Sequence, residues 1–121
     1  MKSPVLGKWP NTPPKAYRFI QVIRSLAQHS ERVIWGTHAL KRFKQRDSRS
    51  DLDLNPAVAR RVLRTGDIEG KITAGDNSGE WKAKVIGPVS HDRGARNVGV
   101  VVIQLSGNRL FVKSVEWEDK R

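Results

Sequence analysis

The sequence predicts an α+β domain with N-terminal helices packed on one face of a three- to four-stranded, mainly antiparallel sheet. Two observations carry this. Apolar residues recur at helical spacing up to Gly66, and beyond it β-branched runs of period two alternate with turn-rich segments. Helices first and hairpin-linked strands afterwards is the order of a sheet covered on one side. At 121 residues the chain reads as one domain over residues 15–121, preceded by a proline-rich arm over residues 1–14.

The arm holds Pro4, Pro10, Pro13 and Pro14. Proline fixes φ and removes a donor, so an extended or irregular path is expected, ordered only if Val5, Leu6 and Trp9 dock. From Pro14 to about Ser30, the residues Tyr17, Ile20, Ile23, Leu26 and Ala27 recur on one helical face, with Phe19 and Val22 beside them. Lys15, Arg18, Arg24 and Gln28 then point outward. Val33-Ile34-Trp35 suits a strand or a buried connector. Thr37 is placed to cap a second helix that ends near Arg46 or Arg49, before the polar, loop-like segment 47–53. Asn55-Pro56 restarts a helix with Asn as cap and Pro in the first turn; Val58, Val62 and Leu63 face inward, and Gly66 stops it.

The strand half begins with Ile68 to Ala74 and the turn-rich segment 75–79. Glu80 to Ile86 alternates, with Trp81, Ala83 and Val85 on one face and Glu80, Lys82 and Lys84 on the other. Gly87-Pro88 is expected to end this strand, and a long loop should carry His91, Asp92, Arg93, Gly94, Arg96 and Asn97. Val98 to Leu105 has the texture of a central strand buried on both faces. A turn over residues 106–108 returns the chain as Arg109 to Trp117, and the tail after it is expected to fray.

Charge narrows the function. Lys and Arg total 23 against 12 acidic residues, a net charge of +11. A surplus of this size in a small domain sets up a positive field that draws in polyanions, RNA or other nucleic acid first among them. Acidic membranes and acidic proteins are the other polyanions of this kind. With no cysteine there is neither a disulfide framework nor a thiolate zinc site. No apolar run reaches bilayer length and the start carries no secretory pattern, so a cytoplasmic protein without a membrane partner is expected. His29, His38 and His91 lack ligand spacing, and Asp47, Asp51 and Asp53 sit among arginines, so neither a metal nor a cofactor is expected.

The densest chemistry lies in Thr37-His38-Ala39-Leu40-Lys41-Arg42-Phe43-Lys44-Gln45-Arg46. His38 and Arg42 are one turn apart on the same helical face. A titratable imidazole beside a permanent cation suits a phosphodiester, the His moving a proton and the Arg holding phosphate oxygens. The alternative is a structural histidine at a helix start beside a solvated arginine. Glu69, Glu80 or Glu116 could be the complementary proton-transfer group. Glu116 is preferred because it sits on a core hairpin. Lys41, Arg46, Lys82, Lys84, Arg93, Arg96 and Lys113 are candidates for holding substrate phosphates, against the alternative of ordinary solvated charges. Trp9, Trp35, Trp81 and Trp117 could stack on bases, but core anchoring is the default.

The segment 37–46, with Val62-Leu63-Arg64-Thr65-Gly66-Asp67-Ile68 and the hairpin from Val98 to Val115, resembles the bacterial domain-of-unknown-function family 4258. The resemblance covers roughly the last two-thirds of the chain. That family is distantly similar to the RelE-type toxin and ribonuclease fold, in which helices pack on an antiparallel sheet whose open face holds RNA. The resemblance implies a metal-independent endoribonuclease of the mRNA-interferase kind, with RNA as substrate and an acidic antitoxin-like protein as partner. Beside it stands a non-catalytic module using the same basic face to hold nucleic acid or an acidic protein.

Overall fold

The computed structural model describes residues 13–44, 54–77, 79–91, 94–105 and 108–118. Three helices, α1 (Ala16–Ala27), α2 (Thr37–Lys44) and α3 (Pro56–Thr65), accompany strands β1 (Val33–Trp35), β2 (Asp67–Ala74), β3 (Trp81–His91), β4 (Gly94–Leu105) and β5 (Arg109–Trp117). The fold is α+β as expected, but the sheet has five strands rather than three or four, in the order β1-β5-β4-β3-β2. The additional strand is Val33–Trp35, which pairs parallel to β5 through Val33 with Leu110, Ile34 with Phe111 and Trp35 with Val112. Its three apolar residues are too few for a periodic signal, so only the pairing distinguishes strand from connector. All other pairings are antiparallel.

Residues 87–91 and 94–97, expected as a strand end and part of a long loop, instead continue two strands. Pairing between β3 and β4 runs unbroken from Trp81 with Gln104 to His91 with Gly94. Pro88 is accommodated because β2 pairs with β3 only as far as Ile86. Beyond that point β3 is an edge strand, and a missing N–H on its outer side leaves no ladder bond unmade.

Cross-strand registers separate the two faces. Trp81, Ala83 and Val85 align with Gln104, Val102 and Val100, and these with Leu110, Val112 and Val115. This row forms the core with Phe19, Ile23 and Leu26 of α1 and Val58, Val62 and Leu63 of α3. Val98, Val100 and Val102 on the central strand β4 are fully buried, while Val101 on the other face is half-buried. The helical register of α1 corrects one expectation: Tyr17 is 63 % exposed, and Phe19 and Val22 lie inside.

Arginines lock the helices in place. Asn55 caps α3, its side-chain oxygen accepting from the Val58 amide at 2.9 Å. Arg60 on α3 donates from Nε and Nη2 to the Ala27 carbonyl, at 3.2 and 3.0 Å. That carbonyl is one of the orphan acceptors at the end of α1, where a cation also suits the helix dipole. Arg24 reaches from α1 to the Gly66 carbonyl and to Asp67 Oδ1, both at 2.8 Å. We expect Arg60→Ala to cost about 1.5–3 kcal/mol in urea denaturation, the range for hydrogen bonds made by charged groups. The exposed neighbour Arg61→Ala should stay within about 0.5 kcal/mol of wild type. Equal effects at the two positions would contradict this role.

Candidate active site

After β1 the backbone continues its pairing for one more residue: the Gly36 amide donates to the Val112 carbonyl at 2.8 Å. A Cβ at this position would stand 2.8 Å from Phe111 Cζ and 2.9 Å from the Val112 oxygen, closer than side chains tolerate. The chain then turns directly into α2, whose first bond runs from the Leu40 amide to the Gly36 carbonyl at 3.0 Å. Thr37, expected as the cap, is the first helical residue instead. Buried Ala39 and an edge-on contact of Phe43 with Trp35, at 5.3 Å between centroids, fix the inner side of α2 against the sheet. The helix packs along β5.

This placement brings the central candidates together. His38, Lys41, Arg42 and Glu116 line one open pocket of about 470 Å³. Arg42 is half-buried, and its Nε lies 3.5 Å from Glu116 Oε1. His38 and Lys41 are exposed at the rim. The pocket therefore offers a proton donor or acceptor on each of two elements, with two cations on α2 between solvent and the sheet. Among the described residues, no group of three or more His, Asp or Glu is placed to hold a metal ion, and no helix is long and apolar enough to cross a membrane.

The remaining candidates separate. Lys82 and Lys84 share the face opposite the helical core, where Lys84 aligns with Val101 and Ser114, and Ile86 with Gly99 and Glu116. Lys84 does not stand as an open cation. Its Nζ lies 2.7 Å from Glu118 Oε1 and 3.2 Å from Glu69 Oε1. Arg96 pairs with Val89 on the core-side face and lies over the Trp117 ring at 4.1 Å, away from Lys82 and Lys84. Lys113 is exposed at the register shift in β5. Arg46 and Arg93 lie outside the described residues, as does the His91 side chain. Trp81 is buried and Trp35 and Trp117 pack against the core, while Trp9 lies outside the described residues.

Glu118 is the residue that sequence reasoning missed, since it falls where fraying was expected. Its amide donates to the Asn97 carbonyl at 2.8 Å, and its carboxylate crosses position 99 to reach Lys84. A Cβ on Gly99 would meet that carboxylate at 2.6 Å. A lone glycine inside a run of valines was the available signal, because glycine in a strand marks close approach of another group.

The Lys84 amine is held above its ordinary value of 10.5, first by its hydrogen bond to Glu118, against an opposing effect of burial, and further by Glu69. A raised lysine pKa contributes stability that is complete below the ordinary value and lost as pH rises through the folded one. Glu118→Gln should therefore lower the pKa of the Lys84 amine, read by NMR titration of its side chain. The stability difference between wild type and variant should hold from neutral pH to about pH 10 and close above it. An unchanged Lys84 titration would contradict the assignment.

Comparison of the chain with protein-family models, curated proteins and solved structures gives no match.

Proposed function

We propose that this protein is a RelE-like, metal-independent endoribonuclease acting at the α2–β5 pocket. The observation that carries the reading is the convergence of His38, Arg42 and Glu116, with Lys41, from two separate elements onto one open pocket. In-line cleavage needs a base for the ribose 2′-OH, an acid for the departing 5′-oxygen and cations for the charge gathered on phosphorus. Glu116 takes the proton of the 2′-OH, and the freed oxygen attacks phosphorus to form a 2′,3′-cyclic phosphate. His38 gives its proton to the leaving 5′-oxygen. Arg42, steadied against Glu116, and Lys41 hold the non-bridging oxygens. The net charge of +11 supports a polyanionic substrate. In a toxin–antitoxin setting, an acidic protein would be the partner that covers this pocket.

The same charge surplus favours a second reading, a module that holds nucleic acid without cutting it. Incubation with single-stranded RNA in EDTA separates the two. Cleavage with cyclic-phosphate ends is expected from wild type, with His38→Ala and Glu116→Gln each slower by about 10²–10⁴-fold. Binding that falls steeply with salt, without cleavage at any protein excess, would replace the nuclease reading with the binding one.

A further inference from the structure

On the pocket side of the sheet lie two ion-paired groups, Arg42 with Glu116 and Lys84 with Glu118 and Glu69. In the second group two carboxylates, Glu118 and Glu69, face one cation, Lys84. Of these two, Glu118 stands just past the end of β5 at Trp117. Glu118 contacts Lys84 at the shorter distance of the two carboxylates, yet Lys84 keeps Glu69 at 3.2 Å if Glu118 leaves. Swinging Glu118 off Lys84 therefore leaves the Lys84 amine still paired, with Glu69.

We propose that Lys84 is a second phosphate-binding position for RNA, masked in the free protein by the Glu118 carboxylate, whose oxygens stand where phosphate oxygens would bind. The inference rests on the reading of the α2–β5 pocket as a phosphodiester site. Lys84 lies two strands across and two residues along from Glu116 on the same face, roughly 12 Å at ordinary strand spacing and rise. A stacked strand rises roughly 3.4 Å per nucleotide, so an RNA seated in the pocket reaches Lys84 about three to four nucleotides away. Gly99 between them has no side chain, and the Glu118 carboxylate fills the space above it, so the path across β4 opens only when Glu118 moves aside. RNA entering this path exchanges one anion for another on Lys84, so the gain in affinity is set by how firmly Glu118 is held.

The test is a pair of binding comparisons with a fluorescent single-stranded RNA in EDTA over a range of salt. Glu118→Gln keeps the side-chain shape and removes the competing charge. It is expected to tighten binding about threefold at low salt and to steepen the salt slope by about 0.7, one further phosphate contact. In a Lys84→Gln background, with Lys84→Ala as the second choice should that variant misfold, the same change should leave the slope unaltered. A gain of equal size and slope in both backgrounds would overturn the proposal, as would no gain in either. Cleavage of the same RNA is scored in parallel. Wild type that binds without cutting would remove the nuclease reading while leaving the masked Lys84 to stand or fall on the two slopes, and absence of RNA binding by all variants would overturn both.

Discussion

The bond from the Gly36 amide to the Val112 carbonyl determines where β1 stops and α2 starts. With a three-residue parallel strand behind it and a helix directly ahead, Gly36 lies against Phe111 and the β5 backbone with no room for a Cβ. Were the chain to leave the sheet one residue earlier or later, α2 would rotate by about 100°, its step per residue. His38 and Arg42 would then no longer face Glu116. The candidate site is thus a consequence of strand pairing: the helix supplies the chemistry, and β5 supplies both the counter-residue and the alignment.

Much of the cationic surplus is spent on architecture. Arg24, Arg32 and Arg60 each donate to a backbone carbonyl of another element. Arg96 lies over Trp117, and Lys84 sits between two carboxylates. Among the described residues, Lys41 and Lys44 on α2 stay exposed, Lys41 at the pocket itself.

The helices were legible because their signals are local. Asn55-Pro56 caps α3 as read, and the apolar spacing in α1 identifies its buried face except at Tyr17. The hairpin of β4 and β5 was legible for the same reason. What escaped depends on distant partners. Val33–Trp35 becomes a strand only because Leu110–Val112 is there to pair with it, and Pro88 stays in a strand only because β2 has already ended. At the site, the i, i+4 spacing identified the His38–Arg42 pair, but nothing local could bring Glu116 to it. Lys84 and Lys82 were read correctly as sharing a face, whereas the engagement of Lys84 by Glu118 required knowing that the Glu118 side chain crosses Gly99.

The central claim is that a phosphodiester is received where α2 meets β5. It is tested most directly by NMR titration of the protein with a 2′-deoxy oligonucleotide, which lacks the attacking hydroxyl and so binds without being cut. The account predicts that shifts concentrate at Thr37 to Arg42 and at Ser114 to Trp117, with the His38 ring among the most affected. Shifts confined to the groove of Tyr17, Ile20 and Ile68 between α1 and β2, or none at all at low salt, would contradict it.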